Sequence, residues 1–153
     1  MTEPATIRVL IVDNHEGVRL GLTIAFATVE DMLVVGEATS GEEALRLCRE
    51  VRPDVVLMEL QLPDQDGIGV IQLIRQQFPH IQVVVLTTLQ TEDLRQQSSS
   101  AGARGYVQKY IAVDGLIEVI RAVNADALAE MLSDHEEETH PWKDDPTTKV
   151  PGS

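Results

Sequence analysis

Five short runs of β-branched and apolar residues recur along the first two-thirds of the chain, each followed by a segment with helical spacing, and this alternation constrains the fold more than any other feature. The runs are "IRVLIVD" (7–13), "MLVVGEA" (32–38), "PDVVLME" (53–59), "IQVVVLT" (81–87) and "ARGYVQK" (103–109). They read as strands, because four to eight residues of this composition between turn signals are strand-like. The segments between them are amphipathic. Ser40 with Glu43 forms a capping box ahead of Ala44, Cys48 and Val51, and Asp66 can cap a helix that buries Gly67, Ile71, Ile74 and Phe78. Val113, Leu116, Ile117 and Ile120 mark a helix after the fifth run, and "HEGVRLGLTIAFATVE" another after the first, weakened by Gly17 and Gly21. Strands that are nearly continuous apolar runs, alternating with helices, imply a parallel α/β sheet covered on both faces.

Such sheets place ligands at the carboxyl ends of their strands. The last polar residues of the runs are Asp13, Glu59, Thr87 and Lys109. Two carboxylates and an ammonium gathered at one edge are either a structural ion pair or an active site. Asp13 and Glu59 could hold Mg²⁺, Thr87 a hydroxyl contact, and Lys109 an anion. His15 stands near Asp13 with no nucleophile beside it, so no hydrolytic pairing is evident.

Between the fourth and fifth runs, "TEDLRQQSSSAGA" puts three serines where a crossover helix needs apolar contacts. Serine competes for backbone hydrogen bonds, so residues 91–100 are expected to fray or move. Residues 124–153 lose periodicity and carry eight acids against two bases. They read as a helix end followed by a disordered acidic tail, with residues 1–123 as the folded domain. His135 and His140 lie five apart, a poor spacing for a helical metal site, and Trp142 reads as a solvated tail residue.

The formal charge of −13 opposes binding to phosphate backbones and to anionic membranes. With no secretory pattern and no long apolar run, the expectation is a cytoplasmic protein. The single cysteine, Cys48, suits a buried helical face.

Together "VLIVDNH", "VVGEATSGEEAL", "RPDVVLMELQLPDQDG", "VVVLTT" and "AGARGYVQK" resemble, in order and spacing, a response-regulator receiver domain of two-component signalling, closest to the receivers of LuxR/NarL-type regulators. The resemblance spans about Ile7 to Val123. It implies a flavodoxin-like (βα)5 three-layer sandwich, with a parallel five-stranded sheet of order 2-1-3-4-5. It also implies that Glu59 stands at the phosphoacceptor position, where the family has Asp. Asp13 and Asn14 stand at the acidic pair that binds Mg²⁺, Gln61 offers a backbone carbonyl to the metal, Thr87 and Tyr106 are the switch pair, and Lys109 contacts the phosphoryl group. Asn14 also stands where it can cap the first helix.

Two departures bear on one chemistry. The extra methylene of Glu59 moves its carboxylate outward by about 1.5 Å, and a misplacement near 1 Å can cost about 100-fold in transfer. Asn14 removes a charge from the Mg²⁺ pocket. The expected reading is a pseudo-receiver, not an enzyme, with no cofactor beyond weakly held Mg²⁺. Glu59 would reach Lys109 and Thr87 as a partial phosphoryl mimic, and output would run through the face of the fourth helix, fifth strand and fifth helix to a protein partner, a histidine kinase or an output protein. A homodimer is compatible with this. The alternatives are a phosphorylatable receiver using Glu59, Asp64 or Asp66 as acceptor, including the receiver half of a transcription regulator, and a small-molecule binder on the same scaffold.

Overall fold

The structure, a computed structural model, describes residues 5–133. Strands β1 (Ile7–Val12), β2 (Met32–Ala38), β3 (Val55–Met58), β4 (Gln82–Thr87) and β5 (Gly105–Gln108) alternate with helices α1 (Glu16–Ala27), α2 (Gly41–Val51), α3 (Gly67–Gln77), α4 (Glu92–Ala101) and α5 (Val113–Ser133). The strands form one parallel sheet in the order β2-β1-β3-β4-β5. This is the flavodoxin-like fold that the resemblance implied.

Successive strand residues point to opposite faces, and here both faces are covered. Leu10, Val12, Val56, Met58, Val83 and Val85 pack with Ala44 and Cys48 of α2 and with Val70, Ile71 and Ile74 of α3. Val9, Ile11, Val55, Leu57, Val84 and Leu86 pack on the other side, against Phe26 of α1 and Leu116, Ile117, Ile120 and Val123 of α5. Each such side chain contributes about 1.5–3 kcal/mol on burial, which explains why β3 and β4 have no exposed residue.

The helix starts follow the capping chemistry. Ser40 Oγ accepts from the Glu43 amide at 3.1 Å, and Glu43 Oε1 accepts from Thr39, one residue before the cap, at 2.8 Å. Asp66 accepts from the Ile68 amide, and α3 buries Gly67, Val70, Ile71 and Ile74 while Phe78 is only half-buried at its C-cap. Gly67 is required by close approach: a Cβ there would stand 2.6 Å from Leu60 Cα and 2.9 Å from the Glu59 carbonyl oxygen.

Two expectations need correction. The serine-rich segment is a regular helix, α4, because both ends are capped: Thr91 accepts from the Leu94 amide, and Gly102, at φ 116°, donates back to Ser98 and Ser99. Its packing is nevertheless thin, with only Ser98 and Ala101 buried and the Ser98 hydroxyl lacking a hydrogen bond. Asn14 does not cap α1. The cap position belongs to His15, whose side chain makes no capping hydrogen bond, and Asn14 is exposed. Helix α5 runs to Ser133, ten residues beyond Val123, its last buried residue. His135, His140, Trp142 and the acidic tail lie outside the described residues.

Candidate functional site

The strands stop one residue short of the residues that matter. Asp13 follows Val12, Glu59 follows Met58 and Lys109 follows Gln108, while Thr87 is the last residue of β4. Their backbones continue the parallel ladder for one more step: the amides of Asp13, Glu59 and Lys109 donate to the carbonyls of Ala38, Val12 and Thr87. The sheet therefore fixes three charged side chains at one edge.

The three converge. Lys109 Nζ lies 2.7 Å from Asp13 Oδ2 and 2.8 Å from Glu59 Oε1, and all three side chains are less than 5 % exposed. Burial alone would push the Lys109 ammonium toward deprotonation, but hydrogen bonds and charge from Asp13 and Glu59 outweigh it, so its pKa stands above the ordinary lysine value.

The remaining carboxylate oxygens are also partnered. Glu59 Oε2 accepts from the amides of Leu60 at 2.6 Å and Gln61 at 3.3 Å. Asp13 Oδ1 accepts from the His15 amide at 2.8 Å and stands 2.9 Å from His15 Nδ1. Arg19 braces the same turn, donating to the Asp13 carbonyl at 2.7 Å and pairing with Glu37 at 3.3 Å. Among the described residues, one ligand atom from each of Asp13, His15 and Glu59 falls within a 4.8 Å span.

Thr87 and Tyr106, the expected switch pair, are tied to one residue rather than to Glu59. Thr87 Oγ1 accepts from the Leu89 amide at 3.3 Å, and the Tyr106 hydroxyl donates to the Leu89 carbonyl at 2.5 Å. The Arg95 guanidinium stacks 4.7 Å from the Tyr106 ring centroid. Burial raises the Tyr106 phenol pKa, Arg95 opposes the rise and Glu59 adds to it. Gln61 is exposed and forms an isolated bridge with Asp66.

The loop acids are structural caps. Asp64 accepts from the Gly41 amide at 2.8 Å and the Glu42 amide at 3.0 Å, and these bonds hold its pKa below the usual carboxylate value. Asp66 caps α3. Buried Cys48, its thiol pushed up to about 12 by desolvation, lies in the core.

Sequence reasoning brought out the strand-end residues and placed His15 near Asp13, but it missed the contact His15 makes there and two further neighbours, Arg19 and Arg95. His15 had a signal, since a residue two positions after a strand-end Asp can fold back on it. Arg19 and Arg95 had none, being ordinary polar positions on helices. The pocket does not fit Mg²⁺, which seeks near-octahedral oxygen ligands at about 2.0–2.1 Å. Its four carboxylate oxygens are all engaged by N–H donors or His15, and the Asn14 amide is exposed.

The family model for the response regulator receiver domain matches residues 9–121. The chain belongs to the response-regulator receiver family. It is 39 % identical over 119 residues to the response regulator GacA of Pseudomonas aeruginosa, covering 78 % of this chain and 56 % of GacA. It is 35 % identical over 116 residues to VraR of Staphylococcus aureus, covering 76 % and 56 %. The receiver thus spans about half the length of the curated relatives it matches. Among solved structures, a LuxR-family two-component response regulator from Aurantimonas superposes with a TM-score of 0.76 at 32 % identity, covering 89 % of this chain and 100 % of that one. The response regulator domain of Thermotoga maritima CheB gives 0.73 at 30 % identity, covering 78 % and 97 %.

Proposed function

We propose that this receiver works as a pseudo-receiver, signalling by protein contact without a phosphoryl cycle. The observation that carries the reading is the Lys109 ammonium held between Asp13 and Glu59. An acceptor carboxylate needs a free oxygen in line with the donor and a cation to neutralise developing charge. Glu59 has one oxygen on Lys109 and the other on its own loop amides. Among the described residues, Lys109 is the ammonium that contacts both carboxylates, and it is already spent.

Glu59 acts as a partial mimic at most. It supplies one charge and two oxygens where a phosphoryl group brings about −1.5 to −2 and three. It engages Lys109, while the Thr87 hydroxyl bonds Leu89 instead. Output would run through the α4-β5-α5 face, whose arrangement is set by the contacts of Thr87 and Tyr106 with Leu89 and by Arg95 over the Tyr106 ring. The partner is a protein, a histidine kinase or an output protein, in the cytoplasm. No helix among the described residues is long and apolar enough to cross a membrane, and the charge of −13 weighs against direct nucleic-acid contact.

A phosphorylatable receiver is the competing reading, favoured by family membership and by the presence of Thr87 and Lys109. Against it, Asp64 and Asp66 already cap helices. Hydrogen–deuterium exchange of α4 and β5 with and without a small-molecule phosphodonor and Mg²⁺ separates the two. The wild-type pattern is expected to stay unchanged, and donor-dependent protection there would support the phosphorylated switch instead.

A further inference from the structure

We propose that the acidic segment after α5, residues 134–153, folds back across the groove between α4 and β5, seats Trp142 against Arg95 and Tyr106, and so covers part of the α4-β5-α5 face of its own receiver. A groove that offers guanidinium groups beside an aromatic ring selects a partner that brings carboxylates and a ring of its own.

The groove has a volume of about 430 Å³ and is lined by Arg95, Arg104 and Tyr106, with Glu92 of the first turn of α4 as the carboxylate in its lining. That volume lies in the range of sites that take one large ring and a few polar contacts. Arg95 is exposed and, among the described residues, is held by no carboxylate. Its guanidinium stacks 4.7 Å from the Tyr106 ring centroid, donates to the Tyr106 carbonyl at 3.4 Å and reaches the Gln90 side chain at 3.5 Å. Its outer face is left for a second ring or for a carboxylate. The wall behind it is thin: the buried residues of α4 are Ser98 and Ala101, and the Ser98 hydroxyl in the groove lining has no hydrogen bond.

The chain itself delivers an occupant of this chemistry. Arg104, in the groove lining, holds Glu130 at 2.6 Å, so the last turns of α5 lie beside the groove, and α5 ends three residues later at Ser133. Between Ser133 and Trp142, the chain's one tryptophan, stand Asp134, Glu136, Glu137 and Glu138. Nine residues reach about 30 Å when extended. Arg104 and the Tyr106 ring that Arg95 covers are two strand residues apart, about 7 Å, so the reach is ample. Tethering makes the contact intramolecular, at an effective concentration on the order of millimolar, and modest charge pairs then suffice. The inference rests on the pseudo-receiver reading in taking the α4-β5-α5 face as the output surface: with no phosphoryl group to regulate that face, the tail regulates it by covering it.

Trp142 is its own reporter, because the chain holds no other tryptophan. Acrylamide quenching of its emission is measured on the full chain, with no phosphodonor and no partner protein. The samples are wild type, Arg95→Glu, and a triple variant carrying Glu136→Gln, Glu137→Gln and Glu138→Gln. Each is read at low salt and at about 1 M salt, where the screening length falls to about 3 Å. Wild-type Trp142 is expected to be shielded and blue-shifted at low salt, equally at all protein concentrations, and to lose that shielding in either variant or on adding salt. The triple variant leaves residues 5–133 unaltered, so its result does not depend on how Arg95→Glu folds. The proposal is overturned if wild-type Trp142 is quenched as freely as in denaturant, or if either variant leaves it shielded. Shielding that grows with protein concentration also overturns it, by placing the segment on a second copy. Phosphorylation of Glu59, measured separately, would remove the pseudo-receiver reading and leave the quenching result standing.

Discussion

At the scale of single residues, Lys109 carries the most electrostatic weight, because it is paired with two buried carboxylates. Lys109→Met should lower the unfolding free energy by about 3–5 kcal/mol near neutral pH, since it leaves Asp13 and Glu59 buried without a counterion. The alkaline side follows from the raised pKa of Lys109. Its contribution is complete below the unfolded lysine value of about 10.4 and is lost as pH rises through the higher folded value. Denaturant unfolding across pH should therefore show an alkaline loss in wild type that Lys109→Met lacks. The pairing of Glu59 with Lys109 was legible in the sequence, because both end apolar runs that a parallel sheet brings together. The cap role of Asn14 was misread, because the turn closes on the Asp13 carboxylate and leaves Asn14 facing solvent.

Individual elements are fixed by caps that also tie the site loop in place. Asp64 follows Glu59 in the loop and bonds across to the first turn of α2, so it couples the loop between β3 and α3 to a second helix. Asp64→Ala should cost about 1 kcal/mol, the usual worth of an exposed N-terminal cap. Because the folded pKa of Asp64 is depressed, its contribution is present above the unfolded value near 3.9 and disappears as pH falls through the folded one. Chemical denaturation at pH 7 and at pH 3 should show the wild-type advantage shrinking at the lower pH. Helix α4 shows where composition misleads. Three serines argue for fraying, yet Thr91 and Gly102 satisfy the helix ends and the chain stays helical. Propensity is a weak prior once caps and a neighbouring sheet are present.

At the scale of the whole molecule, the two-sided core was readable because the apolar runs exclude a sheet with one wet face, while the order of the strands came from the resemblance to receiver domains. The boundaries were less readable. Strands β3 and β5 are shorter than the segments 53–59 and 103–109 read as strands, and α5 continues past the last buried residue on an exposed surface that leaves no periodic signal. What the fold achieves is a pocket whose two carboxylates share the Lys109 ammonium, and the central claim is that this pocket does not accept a phosphoryl group. The direct measurement is intact mass after incubation with a small-molecule phosphodonor, with and without Mg²⁺, for wild type and for a Glu59→Asp, Asn14→Asp double variant. Only the double variant with Mg²⁺ is expected to gain a phosphoryl mass. A wild-type protein that gains it too would contradict the account and make mapping of the modified carboxylate the next step.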